Sequence, residues 1–200
     1  MKGKKIKRKI VKGTINFLMR LVYRVKIIGE ENIPTDTGCV ICPNHVHALD
    51  SAAIVACGKR KIIFMAKKEL FKSAGLRFLA DIFDIFPVDR EGNDIQAIKH
   101  SLKILKQKEI LAMYPEGTRN GLAKGVKPKN GATLIAIKAG VPIVPVGVQG
   151  TFKPFTKVRV IYGKPMYFDK KDVDTQDKEK INSVTKQVMD EVVRLTKQEY

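Results

Sequence analysis

Gly38-Cys39-Val40-Ile41-Cys42-Pro43-Asn44-His45-Val46-His47-Ala48-Leu49-Asp50 runs from an apolar, β-favouring stretch into the start of a helix. Residues 38–42 lack polar alternation, as expected of a strand inside a sheet. Pro43 and Asn44 break it, and a helix over 48–58 follows. That puts His45 in a strand-to-helix turn and Asp50 in the first helical turn, close enough in sequence for the chain to fold one side chain back onto the other.

The same succession recurs along the chain. Runs rich in Val, Ile, Phe and Tyr, bounded by Gly, Pro, Asn or Asp, predict strands over 22–28, 38–42, 61–66, 84–88, 110–114, 143–148 and 156–162. Helical periodicity predicts helices over 48–58, 69–81, 93–108, 130–139 and 178–197. Asn93 with Gln96 resembles a capping box for the third of these, and Gly140 is placed to end the fourth. Strands alternating with helices give an α/β fold: one domain with a mixed, mostly parallel sheet flanked by helices. In such sheets chemistry collects at the carboxyl ends of the strands, here just after residues 42, 66, 88, 114 and 148.

Residues 5–22 read as a basic amphipathic helix at the N-terminus, with Ile6, Ile10, Phe17, Leu18, Leu21 and Val22 at helical spacing among Lys and Arg. Segment 1–26 is accordingly expected to associate with an anionic membrane surface, and 27–200 to form the domain that carries the chemistry. The chain has 38 basic and 20 acidic residues and a net charge of +18. Ten of the cations and none of the acids fall within residues 1–28. An anionic partner is implied: nucleic acid, acidic membrane, or a phosphorylated or CoA-bearing molecule. The absence of Trp, and Phe and Tyr set mainly in apolar runs, argue against nucleic acid, whose binding uses stacking aromatics among the cations. No apolar run reaches the roughly 18–20 residues of a spanning helix. Three cysteines show no disulfide framework. Cys39 and Cys42 form a C-x-x-C whose odd spacing on a buried strand turns the thiols to opposite faces, consistent with a reducing compartment. The three histidines, His45, His47 and His100, have no metal-ligand spacing, so no metal is expected.

Five blocks carry the candidate chemistry. A carboxylate bonded to one imidazole nitrogen fixes the tautomer and leaves the other nitrogen free to take a proton, a relation open to His45 and Asp50. After strand 110–114 stand Tyr114-Pro115-Glu116-Gly117-Thr118-Arg119, with a glycine for an unusual backbone shape and a guanidinium suited to phosphate. Phe86-Pro87-Val88-Asp89-Arg90 and Ala66-Lys67-Lys68-Glu69-Leu70 each place a cation at a strand end. Lys127-Pro128-Lys129-Asn130-Gly131-Ala132 leads through a helix to Val141-Pro142-Ile143-Val144-Pro145-Val146, whose prolines flank a short strand suited to walling an acyl chain.

In this order the blocks resemble those of the glycerol-phosphate acyltransferase superfamily, most of all the bacterial 1-acyl-sn-glycerol-3-phosphate acyltransferases. The N-H-x-x-x-x-D block is matched by Asn44, His45 and Asp50, the V-D-R ending by Val88-Asp89-Arg90, and P-E-G-T-R by Pro115 to Arg119. V-P-I-V-P-V is matched by Val141 to Val146, the K-x-G-A element before it by Lys129, Gly131 and Ala132, and A-K-x-E-L by Ala66 to Leu70. The resemblance spans about residues 25–165. His47 departs from it, standing where the family often has serine.

The resemblance implies an O-acyltransferase that makes phosphatidic acid for phospholipid biosynthesis. It would pass a fatty acyl group from acyl-CoA or acyl-carrier protein, as co-substrate rather than cofactor, to the sn-2 hydroxyl of lysophosphatidic acid. His45 would be the general base and Asp50 its partner. Lys67, Arg90 and Arg119 would bind the glycerol phosphate, with Gly117 and Thr118 in the same substrate-binding block, and Glu116 would orient the glycerol end. The implied location is peripheral, on the cytoplasmic face of the cell membrane. Other acceptors within the superfamily (another lysolipid, or glycerol 3-phosphate) and an inactive membrane-associated scaffold are the alternatives.

Overall fold

The computed structural model describes residues 2–89, 94–171 and 173–198. The chain forms α1 (Lys2–Tyr23), β1 (Lys26–Ile28), β2 (Cys39–Pro43), α2 (Asp50–Cys57), β3 (Ile62–Lys67), α3 (Ala74–Phe83), β4 (Phe86–Val88), α4 (Ile95–Lys106), β5 (Ile110–Ala112), α5 (Gly131–Ala139), β6 (Ile143–Gln149), β7 (Arg159–Tyr162) and α6 (Lys178–Lys197). A 3-10 turn, Lys68–Lys72, precedes α3. The seven strands lie in the order β1-β7-β6-β2-β5-β3-β4. Neighbours are parallel except β6 and β7, which run antiparallel. The expected α/β architecture is therefore present, with β2 at its centre and every residue of β2 buried.

The alternation of side chains along β2 divides the core in two. Cys39 and Ile41 face Met19, Ile54 and Phe83 of α1, α2 and α3. Val40 and Cys42 face Ile104, Ala136 and Val188 of α4, α5 and α6. The two thiols thus point to opposite layers, as their spacing predicts, and both are free and buried. Burial pushes the Cys39 thiol up to about 12, and Cys42 higher still, so neither offers a thiolate.

Several boundaries move for local reasons. The strand expected over 22–28 begins only at Lys26, because α1 continues to Tyr23 and Arg24 turns the chain with φ 42°. The helix expected over 69–81 is split. Ser73 interrupts it and caps α3, its hydroxyl accepting from the Leu76 amide, and Asp84 ends α3 in the left-handed region at φ 58°. The strand expected over 84–88 is shortened to 86–88 by that cap. The cap of α4 is Asp94, whose carboxylate accepts from the Ala97 amide at 2.9 Å. Asn93, of the expected Asn93–Gln96 pair, lies outside the described residues. A carboxylate at a helix N-terminus satisfies an orphan amide and meets the positive end of the dipole, and such backbone hydrogen bonds hold the Asp94 carboxyl below the usual range. Gly140 ends α5 at φ 65°, as the sequence indicates.

Helix α1 packs through Val11, Ile15, Met19 and Tyr23 on the core. Lys4 and Arg8 bond the Asp84 carboxylate at 2.8 and 3.0 Å, and Arg8 lies over the Phe83 ring at 5.5 Å. The opposite face leaves Ile6, Ile10, Phe17, Leu18 and Leu21 exposed. Among the described residues no helix is long and apolar enough to cross a membrane.

Candidate active site

The parallel strands deliver their carboxyl ends to one edge of the sheet, and the turn after β2 is fastened there from three sides. Asn44, buried beside the end of β6, accepts from the Val148 amide (2.6 Å) and donates to the Val148 carbonyl (3.0 Å). Asp50 is the first residue of α2 and has no exposed surface. Its Oδ2 accepts from the amides of Val46 and His47 at 2.8 Å each and faces His45 Nδ1 at 2.9 Å. An oxygen that receives two backbone amides is an acceptor, so Nδ1 is the protonated ring nitrogen and Nε2 carries the lone pair. Asp50 Oδ1 is buried with no hydrogen-bond partner among the described residues.

Glu116 supplies the third fastening. It is 2% exposed. Oε1 accepts from the His45 amide and Oε2 from the Leu122 amide, each at 2.7 Å, while the Asn120 amide donates to the His45 carbonyl at 2.6 Å. Both carboxylate oxygens serve the backbone, in contrast to the expectation that Glu116 orients the glycerol end of a substrate. Gly121 makes this possible: a Cβ there would stand 2.8 Å from Glu116 Cβ and 2.9 Å from Oε2. Gly117, at φ 66°, turns the chain after β5 in a conformation that strains other residues.

The Tyr114 ring stacks on the His45 imidazole, with centroids 4.0 Å apart and planes 19° from parallel. Its hydroxyl shares a 2.8 Å hydrogen bond with Ser51. Burial, then the Asp50 charge, pushes the Tyr114 phenol above its usual range, so it stays protonated as a hydrogen-bonding group.

His45, Tyr114, Ser51, Lys67 and Arg119 line one cavity of about 480 Å³. Four of its lining residues, Ala48, Leu70, Ser73 and Arg119, are exposed and mark the mouth. Val55, Ala56, Phe64 and Phe83, all buried, form the interior, and Ile15, Leu76 and Leu79 complete apolar walls between α1, α2 and α3. The arrangement is an apolar slot beneath a histidine with two cations beside it. Lys67 Nζ lies 3.6 Å from Glu69.

Of the expected site residues, His45, Asp50, Lys67 and Arg119 converge. Glu116 stands behind His45, and Gly117 and Thr118 build the turn without lining the cavity. Arg90 lies outside the described residues. His47 is turned away: its ring stacks on Phe152 at 5.0 Å and Nδ1 accepts from the Leu49 amide at 3.2 Å. His100 packs edge-on to Phe86. Val141 to Val146 enter β6 in the middle of the sheet and give no wall to the cavity, because β6 is covered by its neighbours β2 and β7 and by α6. The sequence reading missed Ser51 and the stacking role of Tyr114. An aromatic directly before the P-E-G-T-R block was the only signal for the latter.

The chain is similar to known proteins along most of its length. A family model described as Acyltransferase matches residues 24–149. The 1-acyl-sn-glycerol-3-phosphate acyltransferase of Bacillus subtilis is 34% identical over 166 residues, which is 80% of this chain and 82% of that protein. The Streptococcus pneumoniae protein of the same name is 34% identical over 142 residues, and the match covers 68% of this chain but only 52% of that one. The crystal structure of the 1-acyl-sn-glycerophosphate (LPA) acyltransferase PlsC from Thermotoga maritima superposes with a TM-score of 0.71 at 25% identity, covering 100% of this chain and 86% of that chain. The matched span runs from the end of α1 to the end of β6 and holds each of the converging residues, His45, Asp50, Lys67 and Arg119, so by sequence, fold and site the chain belongs to the acyltransferase family.

Proposed function

We propose that the protein transfers a fatty acyl group from a thioester, acyl-CoA or acyl-carrier protein, to the sn-2 hydroxyl of 1-acyl-sn-glycerol 3-phosphate, giving phosphatidic acid. The observation that carries this reading is the meeting of His45, Lys67 and Arg119 at the head of one apolar slot. Such a slot suits a hydrocarbon chain, and the two cations beside the histidine suit a phosphate. The names of the relatives support the same acceptor and product.

In this reading His45 Nε2 takes the proton of the acceptor hydroxyl as its oxygen attacks the thioester carbonyl. A C–O ester bond forms, the C–S bond breaks, and the leaving thiolate takes the proton back from the imidazolium. Asp50 keeps Nδ1 protonated, holds the ring and stabilises the imidazolium. Glu116 and Asn120 hold the His45 backbone in place. Lys67 and Arg119 bind the acceptor phosphate.

The protein works at the cytoplasmic face of the membrane, attached peripherally. The exposed apolar stripe of α1, set among Lys5, Lys7 and Lys9, supports this. The test is direct. Purified protein in mild detergent is given lysophosphatidic acid with each thioester donor, and lipid product is followed by mass alongside free thiol. Acceptor-dependent thiol release with phosphatidic acid formed is expected. Release without acceptor, or no phosphatidic acid from folded protein with either donor, would overturn the assignment.

A further inference from the structure

The mouth of the cavity lies against an edge of the molecule whose surface the reaction itself does not require. The 3-10 turn and α3 form that edge. Leu70 (50% exposed) and Phe78 (59% exposed) stand out from it, although α3 has an ample apolar inward face in Ala80, Ile82 and Phe83. Lys68, Lys72 and Arg77 are exposed around them. Arg77 is braced by donating to the Phe71 and Lys72 carbonyls at 3.1 and 3.0 Å. The acids of this edge are answered by cations: Glu69 lies 3.6 Å from Lys67, and Asp81 lies 3.6 Å from Lys4 of α1. The same Lys4, with Arg8, joins the end of α3 to α1 through Asp84. Two of the three helices that wall the cavity, α1 and α3, are thus tied together, and α1 carries Ile6, Ile10, Phe17, Leu18 and Leu21, and α3 Phe78, as exposed apolar side chains.

Exposed large apolar side chains ringed by cations match a bilayer surface bearing anionic headgroups. Leu70 belongs both to that surface and to the cavity mouth. We propose that the edge made by the 3-10 turn and α3 is a second lipid-contact surface. It docks on an anionic bilayer beside α1, and the hydrocarbon chain of a lipid substrate passes from the bilayer into the cavity over Leu70 without crossing water. The proposal rests on the acyltransferase reading above only for the identity of the lipid that passes.

Two variants test it. Phe78→Ser, with Lys72→Ser, alters the edge without touching a cavity-lining residue. Phe17→Ser, with Leu21→Ser, alters α1 alone. Each is compared with the native chain by pelleting with phosphatidylglycerol vesicles, with phosphatidylcholine vesicles, and by turnover of short-chain lysophosphatidic acid kept monodisperse. The edge variant is expected to lose about tenfold in partitioning to the anionic vesicles. It should lose activity on vesicle-borne lysolipid to a similar degree, and keep its turnover of the monodisperse substrate. Edge-variant pelleting equal to native, with loss confined to the α1 variant, would overturn the proposal. Loss of pelleting in the edge variant supports the surface even if the native chain itself forms no phosphatidic acid from lysolipid with either thioester donor. In that case it is the acyltransferase reading that falls.

Discussion

Asp50→Asn separates the charge of Asp50 from its shape. Placed in the same rotamer, the amide oxygen of asparagine can occupy the position of Oδ2 and still receive the His45 Nδ1 proton and the Val46 and His47 amides, which now lie at 2.9, 2.8 and 2.8 Å. The turn and the tautomer are then retained. What is lost is the negative charge facing the imidazolium that forms as His45 takes a proton. Two unit charges about 4 Å apart interact by ~4 kcal/mol at an effective dielectric of ~20. The amide dipole recovers part of this, so the barrier should rise by about 3–4 kcal/mol, or roughly 10²–10³ in kcat at 1.36 kcal/mol per decade. The new amide NH₂ would occupy the site of Oδ1, which is buried without a hydrogen-bond partner among the described residues. Stability should therefore also fall, by about 1–3 kcal/mol for unsatisfied donors. The assay is thiol release under saturating lysophosphatidic acid and donor, with thermal melting of the same preparation. A kcat within fivefold of native, from a folded variant, would refute the electrostatic role given to Asp50.

Glu116→Gln presents an NH₂ to one of two backbone amides. It should lower kcat at least tenfold while leaving KM for lysophosphatidic acid within threefold, whereas a substrate ligand would move KM; steady-state kinetics in both substrates decides. Gly121→Ala should reproduce the kcat loss from a distance, since its methyl collides with Glu116, and should lower Tm. Arg119→Ala should raise KM for the phosphorylated acceptor at least tenfold and that of the donor little; equal rises would count against a phosphate role. Asp84→Asn tests the anchoring of α1. Burial raises the Asp84 carboxyl, but hydrogen bonds from Lys4 and Lys61 outweigh it and hold the group below its ordinary 3.8. A depressed folded value stabilises above the unfolded value and ceases to do so as pH falls through the folded one. The variant should melt below native at pH 7, by the small margin of a partly exposed ion pair, and the difference should shrink and vanish as pH falls below the ordinary carboxylate range and through the depressed folded value.

The fold was legible because its signals are local. Buried strands such as Val40-Ile41 and Ile110-Leu111 have few other uses, and the helix over 178–197 is bounded as its apolar stripe indicates. Boundaries shifted where one side chain decides them, as with Ser73 and Asp94, whose capping depends on which nearby amide is reached. The pairing of His45 with Asp50 was legible because only four residues separate them. The role of Asn44 was not, since its partner Val148 is 104 residues away. Glu116 is the instructive case. As residue type and motif it reads as a ligand, and only the packing of the 115–122 turn over His45 shows its carboxylate spent on two backbone amides. The apolar slot was equally hidden, because it is assembled from α1, α2, α3 and β3, and none of their residues is distinctive alone.

The central claim is that His45 is the general base of acyl transfer to a lysolipid. The measurement that tests it most directly is turnover of lysophosphatidic acid with a thioester donor by the native chain and His45→Ala, with phosphatidic acid counted by mass. General base catalysis is worth about 10²–10⁴, so the variant should retain at most about one part in a hundred of the native rate and stay folded with its cavity intact. Phosphatidic acid formed by His45→Ala at a rate near native would contradict the account.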